Sequence, residues 1–242
     1  MRRTRHPVPA SPGRVQCYPL RARFPRKMDK KPKRRTRERI IETSLALFNQ
    51  FGEPNVTTTT IADELEISPG NLYYHFHNKD EIVNEIFAVF EREIEGTLAA
   101  PTRRPADVED VWLFLHLVFE LIWKYRFLYR DLNDLLSRNR TIEIHFKQIL
   151  AHSIRTATLL CEGLMAAGEM RASRAEIRTL ATNMAVVATY WLSFEYVREP
   201  RRDIRDEALG AGVYQVMAMV APFLDGSARA LFEKLAEQYV RA

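Results

Sequence analysis

Between Val56 and Ile82 the chain reads VTTTTIADELEISPGNLYYHFHNKDEI, with three helix-start signals in close succession. Thr57, Ser68 and Asn78 each offer a short side-chain oxygen to the unpaired N–H groups of a first helical turn. Pro69 follows Ser68 at the position where a missing N–H costs nothing. Asn78-Lys79-Asp80-Glu81 has the spacing of a capping box. This punctuation admits two short helices, Thr58 to Leu65 and one opening at Pro69, then a long helix toward Leu98. Ile61, Ala62, Leu65, Ile67, Leu72 and Phe76 form the inner faces of the short pair. Ala62 is small where the two must approach. The pattern is a helix-turn-helix.

The flanking sequence is helical too. Ile40, Ile41, Leu45, Phe48 and Phe51 keep a helical repeat that starts near Arg35 and closes at Gly52. After a break at Pro101 to Pro105, a helix opens at Pro105 or Asp107 and runs to Trp123. Further helices are expected over Tyr125 to Leu136 and Thr141 to Met165. Another runs from the capping box Ser173-Arg174-Ala175-Glu176 to Val197, ahead of Glu199-Pro200. The last two span Ile204 to Phe223 and, capped by Ser227, reach Val240. Only 9 Gly and 12 Pro occur in 242 residues, too few turn formers for a chain of many short strands. The expected fold is all-α. It comprises a disordered basic extension over residues 1–29, a three-helix unit over 30–82 and a larger helical domain over 83–242. Met28 opens a natural protein start, so the stretch before it is expected to be an annotation artefact.

Charge divides the chain in the same way. Up to Arg37 there are fourteen Lys and Arg against a single acid, Asp29, a charge of +13. The whole chain carries +5, so the rest stands at −8. A basic arm on an acidic body favours a polyanion at the arm. Cys17 and Cys161 stand far apart in unlike contexts, which excludes a disulfide framework or a zinc site and suits a reducing cytoplasm. The longest apolar run, Ala211 to Leu224, is too short to span a membrane and contains Gln215 and Pro222. Arg2-Arg3 precedes no apolar signal core. No Glu-x-x-His di-iron pattern, Gly-rich phosphate loop or nucleophile motif occurs, so the reading is not an enzyme and needs no cofactor.

The second short helix presents Pro69, Gly70, Asn71, Tyr73, Tyr74 and His75, a surface whose chemistry suits DNA. Gly70 lets backbone come near a base edge or phosphate. Asn71 can pair bidentately with adenine in the major groove. Tyr73, Tyr74 and His75 can reach phosphates or thymine methyls. Lys79, at the next helix start, suits a phosphate. Thr57 and Ser68 sit at the two helix starts, and Thr58, Thr59 and Thr60 offer hydroxyls. Lys33, Arg34 and Arg35, within the run Lys31 to Arg37, can lie along the backbone. His75 and His77 lack a carboxylate or Cys at ligand spacing, so no metal is expected.

At Phe51-Gly52, Thr57, Ile61-Ala62, Ser68, Gly70, Tyr73, His75-Phe76 and Lys79 the sequence resembles the TetR family of bacterial regulators. The resemblance covers roughly Arg35 to Phe87. It implies base contacts from Thr59, Pro69, Gly70, Asn71 and Tyr74, phosphate contacts from Tyr73 and Lys79, and a C-terminal domain that binds a ligand and dimerises. Glu66 departs from the family, which usually has Gly in this turn. It implies a positive φ or an altered turn, and puts an acid near DNA.

The residues of the body leave alternatives open. Trp112, Phe119, Trp123, Tyr125 and Tyr129 belong to an aromatic stretch that covers more than one helical face. A ligand pocket and a plain core both fit it. His116, His145 and His152 would add polar contacts to a pocket, and Arg126 and Arg130 would meet an anionic group. Ala181, Met184, Ala188 and Trp191 form one late stripe, and Ala208, Gly212, Gln215 and Met219 another. They suit a homodimer interface or an intramolecular core. The expected function is a repressor bound to a palindromic operator on double-stranded DNA and released by a small hydrophobic or amphipathic effector. The alternative is a ligand-independent dimeric or architectural DNA-binding protein. Neither reading involves a membrane.

Overall fold

Helix punctuation sets the element order. The computed structural model describes residues 33–99, 105–199 and 206–240. The extension over 1–29 therefore lies outside the described residues, as do the side chains of Lys33, Arg34 and Ala208. Eleven α-helices occur among the described residues: α1 (Lys33–Phe51), α2 (Thr58–Glu64), α3 (Pro69–His75), α4 (Lys79–Thr97), α5 (Val108–Lys124), α6 (Arg126–Arg130), α7 (Leu132–Arg138), α8 (Arg140–Ala166), α9 (Arg174–Arg198), α10 (Asp206–Val220) and α11 (Gly226–Val240). The only β contact among them is an isolated bridge between Met170 and Leu224. The protein is all-α.

The caps act as their chemistry requires. The Thr57 hydroxyl accepts from Thr60 N–H at 3.1 Å, and the Ser68 hydroxyl from Asn71 N–H at 3.2 Å. Asn78 accepts from Glu81 N–H at 2.8 Å, but the Glu81 carboxylate takes the N–H of His77 rather than that of Asn78. The reciprocal bond of a capping box is thus displaced by one residue. Asp107, not Pro105, caps α5, in a full capping box with Asp110. The last helix begins at Gly226, one residue before Ser227, with Arg229 N–H on the Asp225 carbonyl at 3.0 Å.

Tyr125 to Leu136 is not one helix. The chain breaks at Tyr125 and again at Asp131. Asn49, from α1, explains the first break. Its amide donates to Lys124 O at 2.8 Å and accepts from Phe127 N–H at 3.1 Å. These side-chain bonds satisfy backbone groups at the break, which is why a buried helix interruption is tolerated. Arg130 adds a bond to Phe48 O at 3.0 Å.

α1, α2 and α3 close on Phe48, Ile61, Ala62, Leu72 and Phe76, all essentially sealed from solvent. Glu66 has φ 54. Ile67 N–H bonds Ala62 O and Glu66 N–H bonds Asp63 O, each at 3.0 Å, so Glu66 occupies the left-handed position that ends α2. Glycine adopts that conformation without a Cβ penalty.

The turn after α1 joins these three helices to the rest. Glu53 is fully buried there. One carboxylate oxygen lies 2.9 Å from Lys79 Nζ at the start of α4, an ion-pair contact rather than an aligned hydrogen bond. The other oxygen pairs with Arg138 at the end of α7. Arg138 also reaches Asp134 at 2.8 Å and Asp80 at 3.2 Å. Glu53 N–H donates to Asp131 at 3.2 Å. Residue 82, expected as a domain boundary, falls inside α4, which runs through it unbroken. From Lys33 on, the described residues pack as one compact unit.

Two stability predictions follow from these contacts. Glu66→Gly should raise stability by about 1 kcal/mol through relief of the left-handed residue, which corresponds to a melting point roughly 2–4 °C higher. Glu53→Ala should cost an amount toward the lower end of about 3–5 kcal/mol, because Lys79 and Arg138 keep partial solvent access. Urea titration checks both. A loss below about 1 kcal/mol for Glu53→Ala would show that the junction is not structural.

Candidate nucleic-acid interface

The outward face of α3 is built by exclusion. Leu72 and Phe76 turn inward, which leaves Pro69, Gly70, Asn71, Tyr73 and Tyr74 exposed and His75 half-buried. Tyr74 is 66% exposed, a large aromatic ring held out toward solvent. Its ring meets His75 edge-on at 5.2 Å. A Cβ at Gly70 would meet nothing closer than Ser68 Oγ at 4.0 Å. No internal packing therefore requires glycine at this site, which presents bare backbone to solvent. Thr59 lies exposed on α2. Thr58 and Tyr73 bring their hydroxyls to 3.0 Å, which links α2 to the recognition face and orients the phenol. Thr57 and Ser68 spend an oxygen on their helix caps, but both residues remain exposed.

Two expected phosphate contacts are altered. Lys79 is turned inward: its ammonium donates to Glu53 O at 2.9 Å and to Val56 O at 3.1 Å, in addition to its ion pair with Glu53. The ammonium is engaged by the chain itself and holds the turn after α1 against the start of α4. Within the basic run, Arg35 is exposed. Arg37 is tied to Glu85 at 2.6 Å and lies over the Phe76 ring at 4.7 Å. The hydrogen bonds from Arg37 hold the Glu85 carboxyl below the usual carboxylate range, and the same pairing raises the Arg37 guanidinium. Both residues thus remain charged and join α1 to α4.

The body separates residues that its sequence pattern grouped. A cavity of about 50 Å³ lies between α4, α5, α6, α8 and α9. Among the eight expected pocket residues only Tyr129 lines it. Phe119 and Tyr125 are core. Trp112 and His116 pack against each other as tilted rings with centroids 4.0 Å apart, and Trp123 lies beneath Arg126 at 4.6 Å. His145 and His152 face Glu91 at 2.6 Å and Glu95 at 3.3 Å, and so pin α8 to α4. Neither Arg126 nor Arg130 lines the cavity.

The residues of the expected dimer stripes face both ways. Ala181 and Met184 are buried within the protomer, and Met184 and Ala188 line the cavity. A Cβ on Gly212 would overlap the rings of Phe119 and Trp191, so this glycine serves close packing of α10 within one chain. The outward apolar stripe is Val186, Tyr190, Phe194 and Val197, of which Phe194 is 54% exposed. With Trp191, Gln215 and Met219 this stripe borders a groove of about 310 Å³ between α9 and α10. A helix apolar on two sides does not disclose which side meets its own core. The second stripe was visible in the sequence at helical spacing, whereas Glu53 carried no local signal.

The family profile described as "Bacterial regulatory proteins, tetR family" matches residues 40–86, and the one described as "Bacterial transcriptional repressor" matches residues 89–232. A crystal structure of a TetR-family transcriptional regulator from Marinobacter aquaeolei VT8 is 34% identical, with a TM-score of 0.77 over 84% of this chain and 98% of that one. A putative transcriptional regulator from Saccharomonospora viridis, solved in complex with choline, shares the fold at a TM-score of 0.63 and 17% identity, covering 80% of this chain and all of that one. Among curated proteins, a probable acrEF/envCD operon repressor of Escherichia coli K12 is 40% identical over 53 residues. That match spans 22% of this chain and about a quarter of the repressor, 24% of its length. The two profiles together cover both the helix-turn-helix and the helical body, and the Marinobacter regulator matches across nearly its whole length: the chain belongs to the TetR family of bacterial transcriptional regulators.

Proposed function

We propose that this protein is a homodimeric repressor that binds a palindromic operator through α3 and is released by a small molecule held in its helical body. The observation that carries the DNA-binding part is the outward face of α3, where Pro69, Gly70, Asn71, Tyr73 and Tyr74 are exposed and no packing requires a glycine at residue 70. Asn71 reads a base, Thr59, Gly70 and Tyr74 meet neighbouring edges, and Tyr73 and Arg35 meet the phosphate backbone. Two copies of α3 in successive major grooves stand about 34–36 Å apart, the half-site spacing of helix-turn-helix dimers. The α9–α10 groove with Tyr190 and Phe194 supports pairing between protomers, since an apolar stripe of this size favours burial. No described helix is long and apolar enough to cross a membrane, and the proposed place of action is the cytoplasm.

Release follows from α4. This helix begins at the Glu53 junction under the recognition unit and ends with Ile94 at the cavity wall. A ligand that prefers one tilt of α4 changes the spacing of the two heads, at a coupling of typically ~1–3 kcal/mol. The small cavity favours a second reading, a ligand-independent DNA-binding dimer. A broad panel of apolar metabolites that leaves both melting point and operator release unchanged would support that second reading.

Asn71→Ala should relax preference at one base position by about 1–3 kcal/mol, read by binding to systematically varied operators. Arg35→Ala should weaken all sequences alike and lower the salt slope by roughly one unit. Lys79→Ala should lower the melting point while the salt slope stays at the wild-type value, because its ammonium is held by the chain. Phe194→Arg should yield monomers in sedimentation experiments. Wild-type binding by Asn71→Ala across all operators would remove α3 as the reading element.

A further inference from the structure

The cavity in the body has an unusual polar inventory. None of the residues that line it carries a charge. Its polar side chains are the hydroxyls of Tyr129, Ser153 and Thr189. Ser153 is already engaged, donating to Ile149 O at 2.9 Å. Tyr129 is not. Its ring is fixed edge-to-face against Phe90 at 5.9 Å and Phe146 at 5.8 Å, and its carbonyl accepts from Ser193 at 3.2 Å. Its hydroxyl has no hydrogen-bond partner among the described residues, although the residue is 95% buried, with 5% of its surface exposed. The hydroxyl is not among the fully sealed unpartnered atoms, so it opens onto the cavity, and in a wall of mainly aliphatic and aromatic groups its partner has to come from outside the chain. Burial alone pushes the Tyr129 phenol well above its usual range, which keeps it a neutral donor and acceptor.

The charged groups nearby are committed elsewhere. Glu91 and Glu95 are paired with His145 and His152 across α4 and α8, and Arg130 is spent on Phe48 O and Asp131. A charged ligand in this cavity would be buried without a counter-ion, which is strongly unfavourable.

We propose that the cavity takes a small uncharged, mainly apolar molecule with one hydrogen-bonding oxygen, such as an alcohol or ketone, and that the Tyr129 hydroxyl selects it. This rests on the effector reading above and gives that effector a chemical class. At about 50 Å³ the space holds only a few heavy atoms. A larger occupant must displace wall residues, among them Ile94 and Leu98 at the end of α4. Leu98 O is itself tied to Thr156 at 2.7 Å, so the wall moves together with α8 or breaks that bond.

The test uses the full-length protein with labelled methionine and alanine methyls, in the absence of DNA. The probes are 2-propanol and acetone, with isopropylammonium and acetate as charged counterparts of equal heavy-atom count. Saturable shifts at Met184, Ala185 and Ala188 are expected with the two neutral probes and not with the charged pair. Tyr129→Phe should weaken the neutral probes about 3- to 10-fold, the loss of one hydrogen bond, while its unliganded melting point stays level or rises. Leu98→Ala, which enlarges the cavity, should bind cyclopentanol more tightly than wild type does. Charged probes that bind as well as neutral ones, neutral probes that fail to saturate, equal affinities in Tyr129→Phe, or a clear drop in its unliganded melting point would each overturn the proposal. Operator release is scored separately by mobility shift. Neutral probes that bind without releasing DNA would defeat the effector reading and leave the ligand class standing.

Discussion

The buried carboxylate of Glu53 is the constraint on which the arrangement of the helices depends. A carboxylate with no solvent access must find cations or lose its charge. Here it finds two, Lys79 from α4 and Arg138 from α7. Those partners come from different helices, so satisfying one charge ties the start of α4 and the end of α7 to the turn after α1. Asn49 and Arg130 add hydrogen bonds across the same seam. The recognition surface therefore stands on a base of polar contacts with the body. The unbroken α4 runs from this seam to the cavity wall, where Ile94 lies.

The same seam explains which parts of the fold were legible in the sequence. The helix starts at Thr57, Ser68 and Asn78 follow from local chemistry, and the structure has them at the expected residues. Glu66 stood out only through the resemblance, as a residue where the family usually has glycine; that left a positive φ or an altered turn open, and the structure has the positive φ. The division of Tyr125 to Leu136 into α6 and α7 was not legible. Its cause is Asn49, and Phe127 lies 78 residues further along the chain. The partners of Lys79 were not legible either: its position is fixed by local sequence, but Glu53 and Val56, which hold its ammonium, come from the preceding turn. Apolar patterning fared intermediately. It identified α9 as apolar on more than one side, yet only packing distinguishes inward Met184 from outward Phe194.

The body illustrates how aromatic density differs from a binding site. Most of the aromatic residues between Trp112 and Tyr129 are used to fill space or to pack against neighbouring rings, and His145 and His152 serve as interhelical ties. What distinguishes Tyr129 is a hydroxyl left unpaired beside a void, a property of three-dimensional accounting that no periodicity reveals.

The Asn49 bridge also bears on modularity. Helix-turn-helix heads and effector domains are often treated as interchangeable parts. In this chain the backbone break between α5 and α6 is capped by a side chain that belongs to the head. A chimera joined within α4 would give the body a foreign residue at that cap, leaving Lys124 O and Phe127 N–H without partners in a buried setting. Exchange of parts in this protein thus has to respect a unit of inheritance larger than either domain: the end of α1 and the turn after it, Phe48 to Glu53, travel with the body they cap, and relatives that lack an amide at this position must interrupt or continue the helix by other means.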